Sequence, residues 1–233
     1  MTAAWRLEVV EDTAAAIHAG SAALVAPPGL GLVRTVRVFH TTDRAVVLGS
    51  TQPPGDVDAV RAARAGVSVV RRQSGGGAVL VGPGMVVWVD VVIPASDPLS
   101  ERDVGRAFWW LGETWAAALG DAGLRGGQPW RGGLCRTRWS ARVCFAGLGP
   151  GEVTLGSAKV VGMTQRRTRA GALFQCAVPV GWDPVPLLEV LAMADDDRAA
   201  AASELAGCAA GVGVQVAGRL IPAFLDRLPA EPG

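Results

Sequence analysis

The most informative single residue of the chain is a lysine. The sequence contains 22 lysine and arginine residues in total, and Lys159 is the only lysine among them. An ammonium group is a compact charge with rotatable donors, which the rigid fork of arginine cannot imitate when one carbonyl oxygen must be stabilised. A compositional bias toward arginine explains the other cations, but it does not explain why one lysine remains. Lys159 is therefore a candidate catalytic residue, and a surface lysine on a hairpin is the alternative.

The second informative feature is the segment at residues 71–79, which has the sequence RRQSGGGAV. Consecutive glycines allow positive φ angles and let a ligand approach the backbone amides closely. The arginine pair before them would place guanidinium donors where a carboxylate or phosphate would bind. A plain hairpin turn between two strands is the alternative explanation of the glycines. We interpret the segment as a binding loop and keep the hairpin as the alternative.

A cysteine upstream of Lys159 is the candidate nucleophile. Cys144 stands between Val143 and Phe145, close in sequence to Arg142. Nearby cations would favour the thiolate, which is the reactive form of a cysteine. A small buried hydrophobic residue is the alternative for a cysteine beside a phenylalanine. The remaining cysteines have weaker claims: Cys135, Cys176 and Cys208.

The elements that must position these residues are strands interspersed with helices. Strands are predicted at the apolar or β-branched runs 35–40, 45–48, 67–70, 85–93 and 172–180, and a further hairpin is predicted from 152–155 and 159–163. Helices are predicted at residues 11–26, 57–65, 101–122 and 184–228. We expect the first two strands to form a hairpin, Asp56 to cap the second helix, and residues 195–197 to form a break and a solvated cap in the last helical region. The pattern predicts an α+β fold with a mixed, largely antiparallel sheet flanked by helices.

Length and charge narrow the classes of function. A chain of 233 residues fits one catalytic domain, which we place at residues 1–228, followed by a disordered C-terminal end at residues 229–233. A net charge of +1 argues against nucleic acid or a membrane surface as a partner. The apolar runs are far shorter than the roughly twenty residues that span a bilayer. Acidic residues near the N-terminus argue against a secretory signal, so we expect a cytoplasmic location. Widely spaced cysteines predict no metal site.

Two separated motifs together resemble a known family. Residues 71–79 and the segment 156–167, GSAKVVGMTQRR, are similar to motifs of the biotin/lipoate protein ligase catalytic domain, in particular of the lipoate-protein ligases and octanoyltransferases. The resemblance covers about residues 34–180 and includes VLGSTQ at 47–52. It implies the α+β fold shared with biotin ligases and class II aminoacyl-tRNA synthetases. It also implies catalytic roles for Lys159 and Cys144. The positions implied to bind the acyl group or an adenylate are Arg71, Arg72, Ser74, Gly75, Gly76, Gly77, Ala78, Gly162 and Gln165.

The resemblance implies transfer of an octanoyl or lipoyl group to the lysine of a lipoyl carrier domain, either a 2-oxoacid dehydrogenase E2 component or the glycine-cleavage H protein. Cysteine-dependent transferases of this type take the acyl group from acyl carrier protein as a thioester and hold no tightly bound cofactor. Ligases instead use ATP and Mg²⁺ to form an acyl-adenylate. Cys144 upstream of Lys159 favours the thioester route, whereas Ser74 before the glycines resembles the ligases. A non-catalytic member that binds an acyl group or a carrier is the third alternative.

Overall fold

The fold is built on two β-sheets, and the computed structural model describes it over residues 5–23 and 32–230. Within these residues the strands are β1 (Arg6–Asp12), β2 (Thr35–Thr41), β3 (Ala45–Leu48), β4 (Ser68–Arg71), β5 (Val79–Val81), β6 (Val86–Pro94), β7 (Gly127–Pro129), β8 (Val153–Leu155), β9 (Ala158–Arg167) and β10 (Gly171–Pro179). The helices are α1 (Ala14–Ala23), α2 (Ala59–Arg64), α3 (Trp109–Asp121), α4 (Val185–Val190), α5 (Asp195–Leu205) and α6 (Val214–Asp226).

The larger sheet has seven strands in the order β1-β2-β6-β10-β9-β8-β7. In it β1 runs parallel to β2, and every other neighbouring pair is antiparallel. The smaller sheet has the order β4-β3-β5, with β3 parallel to β4 and antiparallel to β5. The predicted fold class, a mixed and largely antiparallel sheet with flanking helices, is confirmed.

The centre of the larger sheet is formed by strands that are mostly apolar on both faces, with one buried polar residue in each, Asp90 in β6 and Gln175 in β10. β6 and β10 are paired along their full lengths and are almost entirely buried. One face of the sheet packs against α3 and α6, where the ring of Trp115 stacks on that of Phe224 with centroids 4.1 Å apart. Continuous apolar sequence is what a strand covered on both faces requires. This rigid centre supports the neighbouring strand β9, which carries Lys159.

A second apolar cluster joins the smaller sheet to the C-terminal helices. It contains side chains of β3, β5, α2, α4 and α5, together with Trp139 and Val143 from the segment between β7 and β8. The segment that carries Cys144 is therefore packed between the smaller sheet and the C-terminal helices. Across the described residues, no helix has the length and apolar character needed to cross a membrane.

The predicted N-terminal elements need two corrections. Residues 6–12 form the edge strand β1, and α1 begins only at residue 14, so the helix predicted from residue 11 starts too early; its predicted end at residues 24–26 lies outside the described residues. The predicted hairpin of β2 and β3 is wrong, because β2 pairs with β1 and β6 while β3 pairs with β4 and β5. A short turn joins the two strands, but their partners lie in different sheets.

Several helix boundaries also differ from prediction. Asp58 rather than Asp56 caps α2, since its carboxylate accepts hydrogen bonds from the amides of Val60 and Arg61. α3 begins at residue 109, after a short 3₁₀ turn. The helical region is broken just before residues 195–197, which form the exposed first turn of α5, a favourable position for acidic groups at a helix N-terminus. At the C-terminus, the carbonyls of residues 229 and 230 accept hydrogen bonds from Arg34, and residues 231–233 lie outside the described residues.

Candidate active site

The glycine-rich segment at residues 71–79 is a crossover. It leaves the end of β4 and enters β5, and β3 lies between these two strands in the smaller sheet. The segment therefore passes over the end of β3, where the amide of Ser50 donates to the carbonyl of Ser74 at 2.9 Å. This arrangement excludes the hairpin alternative, because the two flanking strands do not pair with each other.

Close backbone contacts require glycine at two positions, Gly49 and Gly77. A Cβ on Gly49, at the end of β3, would lie 1.9 Å from the carbonyl oxygen of Gly76. A Cβ on Gly77 would lie 2.6 Å from backbone atoms of Val143, and Gly76 itself has a φ of 95°. The crossover is thus pressed between the end of β3 and the residue that precedes Cys144. Glycine at these positions lets the loop reach the candidate nucleophile.

The two arginines before the glycines hold the crossover from different sides. Arg72 is buried, and its guanidinium donates to the carbonyl oxygens of Val47 at 3.2 Å, Gly75 at 2.6 Å and Gly77 at 2.9 Å. Burial lowers the pKa of this guanidinium from its ordinary value. Arg71 is exposed and donates to backbone carbonyls of the turn that follows β3. Arg72 was predicted to face an anion, but it faces the carbonyls of its own loop and fixes the loop's shape.

Lys159 lies at the start of β9 and is buried with its charged group fully surrounded by acceptors. Its Nζ donates to the carbonyl oxygens of Cys144 at 2.8 Å and Gly147 at 2.6 Å, and it lies 3.1 Å and 3.2 Å from the carboxylate oxygens of Glu152. It also lies 5.0 Å from the centre of the Phe145 ring. A buried ammonium needs a counter-charge and hydrogen bonds to offset its desolvation, and this site supplies both.

Glu152 is the counter-ion of Lys159, and it is held by the backbone. Its Oε2 accepts from the amide of Gly149 at 2.6 Å, and its Oε1 accepts from the amide of Met163 at 2.9 Å. The carboxylate therefore has a fixed orientation before any ligand arrives. Glu152 was not among the predicted site residues. Its position on the same predicted hairpin as the only lysine is the signal from which the ion pair could have been predicted.

Cys144 begins a short 3₁₀ turn, Cys144–Ala146, directly beside the crossover. Its amide donates to the carbonyl of Ala78 at 3.0 Å, and the amide of Ala78 donates to the carbonyl of Arg142 at 2.8 Å. The residue is half-buried, and it packs against the apolar cluster that includes Val79 and Phe145. The cysteine is thus tied through its backbone to the glycine-rich segment and, through its carbonyl, to Lys159.

The loop that carries Cys144 is attached to the rest of the domain at both its base and its tip. Residues 135 and 148 pair through their backbones at its base. Towards its tip, the indole of Trp139 donates to Glu204 at 2.7 Å, and Arg142 donates to the carbonyl of Ala192 at 2.7 Å. α5 and the turn before it therefore hold this loop in place over the site.

These groups surround a cavity of about 600 Å³. Lys159, Cys144 and Glu152 lie in its wall, as do Gly76 and Gly77 of the crossover. The other lining residues are Thr51, Gln52, Pro53, Asp56, Leu134, Arg136, Thr137, Ser140, Ala141, Arg142, Gly147, Gly149, Met163 and Thr164. The volume is in the range of small-molecule sites, and the lining residues include Cys144, Lys159 and two arginines, Arg136 and Arg142.

The remaining predicted site residues are not among the residues that line the cavity. Ser74 is buried and bonded to Thr164 and Gln175, and Ala78 is buried against the backbone that precedes Cys144. Gly162 packs against the ring of Phe145, and Gln165 donates to the carbonyl of Val104. Gly75 and Arg71 are also absent from the lining residues. Of the predicted set, the structure brings Lys159, Cys144, Gly76 and Gly77 together at the cavity.

The other cysteines do not line the cavity, although the carbonyl of Cys208 accepts from the backbone amide of Lys159 at 2.9 Å. Cys176 is buried in the core, and burial raises the pKa of its thiol. Cys135 is exposed, and Cys208 is half-buried with a thiol pKa also raised by burial. Among the described residues, no group of three or more His, Cys, Asp or Glu side chains is arranged to hold a metal ion.

The sequence matches the model of a known protein family. The model of the lipoyl protein ligase A/B catalytic domain matches residues 29–212, which is most of the chain. The chain belongs to this family. This lipoyl protein ligase A/B domain is therefore an enzyme of protein lipoylation, and it is either a ligase or an acyltransferase. A search of curated protein sequences finds no match to it.

Solved structures share the fold of this lipoyl protein ligase A/B domain. A bipartite lipoate protein ligase from Thermoplasma acidophilum, studied with its E2 lipoyl domain, has a TM-score of 0.73 and 23% identity, over 95% of this chain and 82% of that one. Lipoate-protein ligase A bound with ATP has a TM-score of 0.70 and 22% identity, over 95% of this chain and 84% of that one. A putative lipoate protein ligase from T. acidophilum with bound lipoic acid has a TM-score of 0.68 and 22% identity, over 95% and 85%.

Proposed function

We propose that the enzyme transfers an octanoyl or lipoyl group to the lysine of a lipoyl carrier domain through a thioester on Cys144. The observation that carries this proposal is the shared cavity of Cys144 and Lys159, in which Nζ of Lys159 lies 2.8 Å from the carbonyl oxygen of Cys144 itself. A charged donor is therefore fixed over the residue that bears the nucleophile. The carrier would be an E2 component or the glycine-cleavage H protein, and acyl carrier protein would supply the acyl group.

The proposed reaction has two steps. The Cys144 thiolate attacks the acyl carbonyl of the donor thioester, the bond to the donor sulfur breaks, and the donor leaves as a thiol after taking up a proton. The amine of the carrier lysine then attacks the acyl-cysteine, an amide forms with loss of a proton, and the Cys144 thiolate leaves. In both steps Lys159 stabilises the negative charge that develops on the carbonyl oxygen.

Lys159 must exchange one of its present partners to perform this role. Its Nζ is already close to two carbonyl oxygens and to both oxygens of Glu152. An ammonium group has three hydrogens to donate, so an acyl oxygen would take the place of one carbonyl while Glu152 keeps the charge in position. We therefore propose Glu152 as a positioning residue, and the crossover glycines Gly76 and Gly77 as the backbone wall beside the acyl group.

The proposal is tested by the intact mass of the protein after incubation with octanoyl-acyl carrier protein in the absence of ATP. We expect one octanoyl adduct that maps to Cys144 and disappears when unmodified lipoyl domain is added. The adduct should be absent from Cys144→Ala and present in Cys135→Ala, a matched control in which an exposed cysteine is removed. An adduct that survives Cys144→Ala, or no adduct on the unmodified enzyme, overturns the thioester route.

An ATP-dependent ligase is the second candidate. The residues that line the cavity include Arg136 and Arg142, and guanidinium groups are donors that suit phosphate groups. ATP and lipoate would then be substrates, and Mg²⁺ would arrive with the nucleotide. Under this proposal, carrier acylation requires free octanoate or lipoate with ATP and Mg²⁺, and Cys144→Ala retains it. Carrier modification from octanoyl-acyl carrier protein without ATP would contradict the ligase.

A further inference from the structure

A chain of buried polar side chains runs from the middle of the larger sheet to the cavity wall. Gln175 on β10 bonds to Asp90 on β6 through its Nε2, which lies 3.2 Å and 3.4 Å from the two carboxylate oxygens. The Oε1 of Gln175 accepts from the hydroxyl of Ser74 at 2.6 Å and from its amide at 3.3 Å. The hydroxyl of Ser74 also lies 2.6 Å from that of Thr164 on β9.

The orientation of the Gln175 amide follows from its neighbours. The backbone amide of Ser74 can only donate, so the atom of Gln175 that faces it must be the oxygen. At the other end, Oδ1 of Asp90 already accepts from the indole of Trp88 at 3.1 Å, and Oδ2 is bonded to the hydroxyl of Ser21 at 2.6 Å. The Nε2 of Gln175 therefore belongs beside Asp90, and the amide is held in one orientation at both ends.

This orientation fixes the direction of the next two hydrogen bonds. Because Oε1 of Gln175 carries no hydrogen, the hydroxyl of Ser74 must donate to it. A serine hydroxyl has one hydrogen, so Ser74 can then only accept from Thr164. Thr164 uses its own single hydrogen in that bond. A ligand that reaches the hydroxyl of Thr164 therefore meets lone pairs and no donor.

Thr164 is half-buried and lies in the wall of the cavity that also contains Cys144 and Lys159. We propose that Thr164 accepts a hydrogen bond from the nitrogen that becomes bonded to the acyl carbonyl, so that the site holds the carbonyl oxygen through Lys159 and the attached N–H through Thr164. This inference rests on the proposed function, because that nitrogen is the attacking amine of the carrier. Asp90, Gln175 and Ser74 are positioning residues that keep Thr164 an acceptor.

The chemistry of the reaction supports this choice of ligand group. An octanoyl or lipoyl chain carries no hydrogen-bond donor, so an acceptor in the acyl site has nothing to bind until the amine arrives. The amine has hydrogens to donate as it attacks, and the amide product keeps one N–H. A wall that offers a donor for the oxygen and an acceptor for the nitrogen is complementary to the amide-forming centre.

The test uses two unreactive probes of the same length, octanamide and nonan-2-one, which differ by an NH₂ group in place of a methyl group. Binding is measured by calorimetry for the unmodified enzyme, Thr164→Val and Thr164→Ser. We expect the unmodified enzyme and Thr164→Ser to prefer octanamide by about twofold to tenfold, the range of one neutral hydrogen bond. Thr164→Val should show no preference for octanamide, since valine keeps the shape and removes the acceptor.

Each other outcome overturns the inference. Equal binding of the two probes by the unmodified enzyme, no binding of octanamide, or a preference that survives in Thr164→Val would each show that Thr164 accepts no ligand N–H. A preference lost in both variants would assign the effect to packing. Carrier acylation by the unmodified enzyme is measured separately, so a failure of the proposed reaction is distinguished from a failure of this hydrogen bond.

Discussion

Replacing Glu152 by glutamine should destabilise the enzyme strongly, even though the two side chains have nearly the same shape. The Glu152 carboxylate accepts the amide of Gly149 on one oxygen and that of Met163 on the other, while it neutralises Lys159. A glutamine side chain has one oxygen and one NH₂ group, so in either orientation its NH₂ faces a backbone donor. It also leaves the buried ammonium of Lys159 without a counter-ion.

The expected cost follows from these two effects. An unsatisfied buried backbone donor costs about 1–3 kcal/mol. Removing one partner of a buried ion pair costs about 3–5 kcal/mol in total. We expect Glu152→Gln to lose about 3–5 kcal/mol of unfolding free energy, which for a domain of this size lowers Tm by roughly 6–20 °C. In a Lys159→Met background the same change should cost less than about 1–3 kcal/mol, because it still leaves one backbone donor unpaired but removes the carboxylate that has lost its counter-ion.

The assay is urea unfolding of the four proteins in this double-mutant cycle. Asp121→Asn is the matched control: Asp121 makes a similar ion pair with Arg227 at 2.6 Å, but these side chains are 43% and 51% exposed. An exposed pair contributes about 0–1 kcal/mol, so this change should be nearly silent. A loss below about 1 kcal/mol for Glu152→Gln, or an equal loss with and without Lys159, would refute the reasoning.

The remaining predictions concern buried titrating groups and the crossover. Burial and the charge of Arg72 lower the pKa of His18 from 6.5 to about 4, so its contribution to stability is present above pH 6.5 and is lost as the pH falls toward 4. Burial raises the pKa of Asp90 from 3.8 to about 6, so its contribution is present below pH 3.8 and is lost as the pH rises toward 6. As the pH falls from about 6.5 to about 4, the unfolding free energy of His18→Phe should therefore decrease less than that of the unmodified enzyme, and that of Asp90→Asn should decrease more. Each difference should be roughly 2–3 kcal/mol in urea unfolding. Parallel pH profiles of the three proteins would contradict both assignments. Gly77→Ala should cost about 1–3 kcal/mol, because its Cβ would lie 2.6 Å from the backbone of Val143. Gly75→Ala, whose Cβ meets no described atom within 4 Å, should change the thermal midpoint little, and equal effects of the two would disprove the contact. Arg72→Lys should lower the unfolding free energy by at least about 2 kcal/mol in urea unfolding, because an ammonium cannot reach the carbonyls of Val47 and Gly77 together as the guanidinium does. A loss below about 0.5 kcal/mol would contradict that role.

The parts of the fold that could be predicted are those whose physical cause is local in sequence. The sequences of β6 and β10 predict buried strands because nearly all their residues are apolar, with only Asp90 and Gln175 as polar exceptions. The β8–β9 hairpin was predicted because its two strands are joined by a tight turn at Gly156. β1 and the separation of β2 from β3 were missed, because an edge strand and a change of sheet depend on partners far along the chain.

For the candidate site too, some features were determined by the sequence and others only by the tertiary structure. The sequence alone determined that Lys159 is exceptional, that the glycines must approach something closely, and that two separated motifs indicate the lipoyl protein ligase A/B family. Tertiary structure decided what those residues contact. It placed Arg72 under its own loop, paired Glu152 with Lys159, and connected Thr164 to Asp90 through two intervening side chains. The reason is physical: residue type limits which hydrogen bonds a side chain can make, whereas the partner, and so the direction of each bond, exists only when distant strands are packed together.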